Sequence, residues 1–231
     1  MAEVLIVVDN SNIHVQTKES FGYGARFSYS SFEKQFHESD NFVAKQITGS
    51  TPPAQDTFWN RMRRDGYEVI TYERKQKRYG GTTEKSVDTA IVARATEAII
   101  LLKPEILVLF SGDFDMRPLV EMAKKHSCVV HLWTYKESSS PDLEKECYKV
   151  FYIEDHKLDL IFYQICGGET ETYAEFQERR ELERQQHAEA RRRELESEDD
   201  DGRYIPAWIK WVGGSAAVAA VVSIAIIIAR K

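Results

Sequence analysis

The 231-residue sequence has little cysteine and no excess of positive charge. Its three cysteines, Cys128, Cys147 and Cys166, are widely spaced and form no C-x-x-C pair, which argues against a disulfide framework and a zinc knuckle. The formal net charge of -6 argues against binding to nucleic acid through overall basicity, so any such contact is expected to be local. The first residues lack the basic start and long apolar stretch of a signal peptide. The few, widely spaced cysteines predict a protein of a reducing compartment.

The C-terminal residues have a different composition from the rest. Residues 211–229 contain no charged side chain and are rich in Ala, Val and Ile. As a helix, a run of about 19 residues is roughly 28 Å long, close to the thickness of the hydrocarbon layer of a membrane. Trp208 and Trp211 lie at one end, as interfacial aromatics do, and Arg230 and Lys231 lie at the other. We therefore expect a single-pass C-terminal anchor that contacts the membrane through residues 207–229 and leaves the N-terminal part cytosolic.

Short apolar runs alternate with helical patterns through the first two thirds of the chain. The expected strands are Val4 to Val8, Phe42 to Ile47, Tyr67 to Tyr72, Ile106 to Phe110, Val129 to Trp133 and Val150 to Ile153. The expected helices are Ser30 to His37, Gln55 to Asp65, Glu84 to Leu102, Met116 to His126 and Ser140 to Cys147. This alternation predicts an α/β fold with a doubly wound, mostly parallel sheet and helices on both faces.

Composition divides the chain into three segments. We expect an α/β domain at residues 1–167, a charged helical linker with an acidic end at 168–206, and the membrane anchor at 207–231. In the linker, Glu175 with Arg179 and Glu189 with Arg193 have the spacing of stabilising ion pairs on an exposed helix. This charged helix is also a candidate contact between two copies of the chain.

Carboxylates follow two of the expected strands. Asp9 comes directly after the first strand, and Asp113 and Asp115 follow the strand that ends at Phe110. Because functional residues of parallel α/β sheets lie just past the carboxyl ends of the strands, these three side chains meet if the two strands are neighbours. Clustered carboxylates repel one another unless a cation compensates, and a hard divalent ion such as Mg²⁺ or Mn²⁺ suits oxygen ligands.

Asp88 is the expected fourth carboxylate. It lies early in a helix whose Val87, Ile91 and Ala95 recur at the spacing of one buried face, and it adjoins that face. An alternative is that each aspartate only caps a helix or a turn. Taken together, the strand-end pairs and the helix aspartate favour a metal site over independent caps.

Three motifs in order resemble those of a known family. They are Val8-Asp9-Asn10-Ser11-Asn12-Ile13, Lys85-Ser86-Val87-Asp88-Thr89-Ala90, and the run from Leu107 to Val120 that contains Ser-Gly-Asp-Phe-Asp. Over roughly Glu3 to Tyr163 the sequence resembles the NYN branch of the PIN-like nucleases, which includes the LabA-like proteins.

This resemblance implies a doubly wound sheet and metal-dependent cleavage of RNA by an endoribonuclease. It implies Mg²⁺ or Mn²⁺ bound by the carboxylates Asp9, Asp88, Asp113 and Asp115. Asn12 matches the residue expected to orient the loop after the first strand, and Ser111 matches the hydroxyl beside the acidic pair. These six side chains form the expected catalytic set.

RNA contacts are expected from basic residues in the loop after the third expected strand and at the start of the expected helix of Asp88. The candidates are Arg74, Lys75, Lys77, Arg78 and Lys85. A solvated basic loop is the alternative interpretation. If the loop binds RNA, the affinity should fall steeply with salt.

Arg94 departs from the family pattern, because many relatives place a further acidic residue at this position. The basic side chain could narrow the site to one metal, approach RNA, weaken catalysis, or only face solvent. A second functional hypothesis is therefore an RNA-binding or scaffold module on a membrane that has lost catalysis. A third, an adhesion-type D-x-S-x-S metal site beginning at Asp9, fails because Ile13 occupies the position of the second serine.

Overall fold

The computed structural model describes residues 2–51, 57–72, 75–76, 82–83, 87–165 and 169–196. In chain order the strands are β1 (Glu3–Asp9), β2 (Ala25–Phe27), β3 (Asn41–Ser50), β4 (Glu68–Tyr72), β5 (Lys75–Gln76), β6 (Thr82–Thr83), β7 (Ile106–Phe110), β8 (Val129–Thr134), β9 (Lys149–Tyr152), β10 (Ile161–Gln164) and β11 (Thr170–Thr172). The helices are α1 (Asn10–Phe21), α2 (Tyr29–Glu33), α3 (Phe58–Arg64), α4 (Val87–Leu102), α5 (Arg117–Lys125), α6 (Pro141–Glu146), α7 (Lys157–Leu160) and α8 (Tyr173–Glu196). Two 3-10 turns, Phe114–Met116 and Ile153–His156, complete the elements of the described part.

Six strands form the central sheet in the order β4-β3-β1-β7-β8-β9, and all of its pairs are parallel. Strands β1 and β7 occupy the middle, where both faces are covered, and their sequences are accordingly apolar at almost every position. The sequence-based prediction of a mostly parallel α/β sheet is confirmed, and all six expected strands are present.

The two faces of the sheet carry different cores. Leu5 and Val7 of β1 lie in a buried aliphatic cluster that includes the inner faces of α4 and α5. On the other face, Phe110 and Trp133 pack with Phe32 of α2, with ring centroids 4.8 and 4.9 Å from the Phe32 ring. Alternate residues of each strand therefore point to the aliphatic layer or to the aromatic layer, which fixes the direction of the side chains at the strand ends.

A second, three-stranded antiparallel sheet has the order β11-β10-β2. It joins residues 25–27 to residues 161–163, which are far apart in the sequence. The sequence patterns did not predict this sheet, and they did not predict α1. The sheet extends the compact unit to Ala174, so the boundary proposed at residue 167 lies between β10 and β11.

Helix α8 is polar on every side. From Gln177 to Arg193 all side chains are exposed, and ion pairs link Arg179 to Glu183 and Arg193 to Glu189. An exposed helix in the linker therefore agrees with the charge pattern.

Among the described residues, no helix is both long enough and apolar enough to cross a membrane. The expected anchor at 207–231 lies outside the described residues.

Candidate metal centre

The ends of β1 and β7 adjoin because the two strands pair in parallel, with Val8 opposite Phe110. Asp9 is the last residue of β1, and Ser111 directly follows β7. Asp9 continues the alternation of Leu5 and Val7, which lie in the layer covered by α4. The strand-end side chains are thus directed toward the helix whose first turn carries Asp88.

Asp9 is buried, with 3% of its surface exposed. One carboxylate oxygen accepts a hydrogen bond from the backbone N–H of Asn12 at 3.1 Å, and the other accepts one from the Ser111 hydroxyl at 3.1 Å. Burial raises the pKa of Asp9 to about 6, with smaller upward effects from the charges of Asp88 and Asp113, although the two hydrogen bonds lower it. A carboxylate held in this way is stabilised when a cation lies nearby.

Asn12 ties the two strand-end loops together. Its side-chain oxygen accepts a hydrogen bond from the backbone N–H of Gly112 at 3.1 Å. The Ser111 hydroxyl also accepts a hydrogen bond from the backbone N–H of Asp113 at 3.2 Å. These bonds fix the loop after β7 against the start of α1, and with it the direction of Asp113.

Gly112 is required by close packing at this loop. A Cβ atom at this position would lie 2.7 Å from the Ser138 carbonyl oxygen and 2.9 Å from the Thr134 hydroxyl. Gly112 was not predicted to be a site residue, although it stands between Ser111 and Asp113 in the sequence. The need for glycine arises from residues 134–138, and their approach to this loop cannot be recognised from the local sequence.

Three carboxylates converge beside this loop. Asp88, Asp113 and Asp115 each place one carboxylate oxygen within 4.8 Å of the other two. Asp88 is partly buried and Asp115 is exposed, so the group is open to solvent on one side. Asp9 lies outside this group of three, is buried, and interacts electrostatically with Asp88 and Asp113.

The donor set fits a hard divalent cation. Oxygen ligands from a few carboxylates, with water completing the coordination, are what Mg²⁺ requires, and Mn²⁺ accepts the same ligands. The buried Asp9 adds a fourth negative charge next to the group, so that a cation there reduces repulsion among four carboxylates. Asp88, Asp113 and Asp115 are therefore the residues that would hold the ion.

In this protein, aspartates that cap helices also belong to the carboxylate site. Asp9 is the N-cap of α1, and Asp113 caps the following 3-10 turn by accepting the backbone N–H of Asp115 at 2.9 Å. Capping fixes the carboxylates at helix starts, where the backbone dipoles also favour negative charge. The same geometry thus places both side chains at the site.

Arg94 is directed to the sheet edge. Its guanidinium forms an ion pair with Glu68, the first residue of β4, and Glu68 also accepts a hydrogen bond from the Gln46 side chain at 3.2 Å. By the strand register Glu68 is level with Val7 and lies two strands away from β1. The half-exposed Arg94 side chain is therefore engaged away from the carboxylate group.

Most of the expected RNA-binding residues lie outside the described residues. This applies to Arg74, Lys77, Arg78 and Lys85. Lys75 lies in the short strand β5, which pairs with β6.

A model of the NYN domain matches residues 3–154. The chain belongs to the NYN domain family. This is a family of nuclease-like, PIN-like proteins, and the predicted family membership is confirmed.

Among solved structures, the chain is similar to a protein of unknown function from Vibrio parahaemolyticus. The match has 23% identity and a TM-score of 0.59, and it covers 69% of this chain and 96% of the other. At this identity the likeness shows the fold alone. No curated protein matches the sequence.

Proposed function

We propose that this NYN protein is a divalent-metal-dependent endoribonuclease tethered to a membrane by its C-terminal segment. The observation that carries the catalytic part is the convergence of Asp88, Asp113 and Asp115 at the ends of β1 and β7 in an NYN fold. The family is nuclease-like, and the three carboxylates form the donor set of a hard cation.

Each residue of the site has a distinct role in this proposal. Asp88, Asp113 and Asp115 would hold Mg²⁺ or Mn²⁺, while the buried Asp9 supplies a further negative charge that interacts with Asp88 and Asp113. Ser111 and Asn12 act through other residues, since Ser111 orients Asp9 and Asn12 orients the loop of Gly112. When bound, the ion would supply the positive charge that offsets the charge developing on the phosphate during hydrolysis of an RNA phosphodiester bond.

The test compares the full-length protein with matched aspartate variants. Asp113→Asn removes one of the three converging carboxylates without changing its size. Asp65→Asn removes an exposed carboxylate at the end of α3, ahead of β4 and away from the strand ends that bear the site, and serves as the control. End-labelled RNA, single-stranded or structured, is incubated with Mg²⁺, with Mn²⁺ or with EDTA.

We expect internal cleavage with either metal, none with EDTA, and a loss of at least about 100-fold in Asp113→Asn. Asp65→Asn should retain wild-type activity. Cleavage that survives EDTA or Asp113→Asn would rule out the proposed centre. Tight RNA binding without cleavage by the wild-type protein would instead support the scaffold hypothesis. The one sequence feature that favours this hypothesis is Arg94, which forms an ion pair with Glu68.

The membrane part of the proposal rests on the uncharged run at residues 211–229 and its flanking Trp208, Trp211, Arg230 and Lys231. We propose a single-pass anchor with the NYN domain on the cytosolic side. Deleting residues 208–231 should move the protein from the carbonate-resistant membrane pellet to the supernatant. A full-length protein extracted by carbonate would contradict the anchor without affecting the nuclease proposal.

A further inference from the structure

An exposed aromatic residue stands in the sequence between two of the residues whose carboxylates converge. Phe114 separates Asp113 from Asp115 in the 3-10 turn after β7, and 42% of its surface is exposed. Neighbouring Cα atoms are about 3.8 Å apart, so the Phe114 backbone is directly beside those of both ligands. A molecule that places a phosphate at the carboxylate group is therefore close to the backbone that carries this ring.

The ring lies next to the first residue of the following helix, α5. The Arg117 guanidinium carbon lies 5.7 Å from the Phe114 ring centroid, and Arg117 in turn forms an ion pair with Glu121 at 3.0 Å. Glu121 thus contacts Arg117, and the positively charged guanidinium of Arg117 lies next to the ring. Phe114 therefore has a basic side chain beside its ring, while a large part of the ring remains accessible.

The described residues contain other exposed Phe, Tyr or Trp rings, namely Tyr23 and Tyr148, but only Phe114 lies within the carboxylate loop. Tyr23 is 85% exposed, and the Lys18 ammonium lies 5.0 Å from its ring centroid. It follows α1, whose 12 residues lead about 18 Å away from Asp9. Tyr23 and Phe114 are thus both exposed and both lie near a basic side chain. Phe114 differs from Tyr23 because it belongs to the loop that carries the carboxylates.

We propose that Phe114 is a stacking platform for an unpaired nucleobase next to the phosphate that is cut, with Arg117 as its brace. Every base has an aromatic face, so such a platform favours single strands without selecting a sequence. In a duplex the bases are already stacked on one another and cannot reach it. This inference rests on the proposed nuclease function and adds to it a residue that contacts the base beside the phosphate that is cut.

The test measures binding separately from cleavage. The full-length protein is titrated, with Ca²⁺ in place of Mg²⁺, into a fluorescent single-stranded RNA and into an abasic ribose-phosphate strand of the same length. Phe114→Leu keeps an apolar side chain but removes the aromatic face, whereas Phe114→Tyr keeps the face. Tyr23→Leu is the matched control for loss of an exposed aromatic ring.

We expect Phe114→Leu to weaken binding of the RNA by about 5- to 150-fold, the range for loss of one stacked base. Binding of the abasic strand should be unchanged by the same substitution. Phe114→Tyr and Tyr23→Leu should bind the RNA like the wild-type protein. In addition, 2-aminopurine in the RNA should be quenched on binding to the wild-type protein and less so with Phe114→Leu.

Other outcomes separate the two proposals. Equal weakening on the RNA and the abasic strand, or no weakening on either, would overturn the platform while leaving metal-dependent cleavage intact. Base-dependent weakening in a protein that does not cleave RNA would retain the platform and reject the nuclease. No binding to either strand by the wild-type protein would overturn the platform.

Discussion

In the metal-free protein, the hydrogen bonds of Asp9 favour its charged form, whereas its burial disfavours that form. Its carboxylate caps α1 and accepts a hydrogen bond from the Ser111 hydroxyl, yet it is buried beside Asp88 and Asp113. Burial disfavours the charged form and raises its pKa to about 6. The site is therefore electrostatically unfavourable at neutral pH without a cation, as expected of a site organised for one.

Replacing Asp9 with Asn should stabilise the metal-free protein at high pH. The pKa of Asp9 in the folded state, about 6, is above the ordinary 3.8, so the stability linked to this group is complete below pH 3.8 and is lost as pH rises through 6. A neutral Asn avoids that loss. We expect Asp9→Asn to raise the free energy of unfolding by up to about 3 kcal/mol at pH 8 and by less than about 1 kcal/mol at pH 4.

Urea unfolding in EDTA at the two pH values measures this difference. Asp65→Asn, which changes an exposed carboxylate, should show no such pH-dependent gain. A gain of equal size at both pH values would mean that ionisation of Asp9 is not the cause.

Gly112 should tolerate no larger residue. In Gly112→Ala the new Cβ would lie 2.7 Å from the Ser138 carbonyl oxygen, so the backbone of one loop must shift. We expect destabilisation of about 1–3 kcal/mol in thermal or urea unfolding, together with weaker binding of Mn²⁺ because Asp113 is next in the chain.

Gly24→Ala is the control for loss of a loop glycine, since its Cβ would meet only a Tyr163 ring carbon at an ordinary 3.5 Å. Its effect should be below about 0.5 kcal/mol. Similar losses in both variants would show that the close contact at Gly112 is relieved without strain.

At the scale of elements, the sequence was most informative where burial repeats along the chain. The strands at 4–8 and 106–110 are apolar throughout because both of their faces are covered, and this apolar pattern predicted both strands. The same pattern placed Asp9 and Asp113 after the ends of these strands, and the pairing of β1 with β7 in the structure makes the two ends neighbours. The convergence of Asp88 with Asp113 and Asp115 depended on how α4 packs, which the motif order indicated and only the structure shows.

Helix α1 shows why other elements were missed. Only Ile13 and Thr17 are buried in its 12 residues, so it has little apolar periodicity. Thr17 is held by tertiary contact instead, since its hydroxyl bonds to the buried Tyr135 hydroxyl at 2.6 Å and to the Ile13 carbonyl. The small sheet was missed for a related reason, because strands of three or four residues gain their partners from distant parts of the chain.

The position of Arg94 on α4 leads to a prediction about the family pattern. Arg94→Glu restores an acidic residue, but this side chain is directed to Glu68 rather than to the carboxylate group. We expect RNA cleavage to stay within about twofold of the wild-type rate. Loss of a half-exposed ion pair should lower the free energy of unfolding by no more than about 1 kcal/mol, with a further small loss from repulsion by Glu68.

Arg94→Ala separates the two effects, because it removes the ion pair without adding a charge. A change in cleavage of tenfold or more in Arg94→Glu alone would indicate that residue 94 acts at the metal centre.

For the whole molecule, metal binding should be visible as thermal stability. A ligand that binds only the folded state at 100 times its Kd stabilises it by about 2.7 kcal/mol, or about 5–10 °C in Tm for a domain of this size. We expect Mn²⁺ to raise the Tm of the full-length protein by this amount at pH 8. The increase should be largely lost in Asp88→Asn and retained in Asp65→Asn.

The increase in Tm caused by Mn²⁺ should also depend on pH, because Asp9 titrates. Below pH 6 Asp9 becomes protonated in the folded protein, which removes a negative charge beside the cation and lowers the affinity for it. The Mn²⁺-induced increase in Tm should therefore shrink between pH 7 and pH 5 in the wild-type protein. In Asp9→Asn it should already be small at pH 8 and change less with pH. An increase in Tm that is the same in Asp88→Asn would place the bound metal elsewhere on the protein, because this substitution removes one of the three proposed ligands.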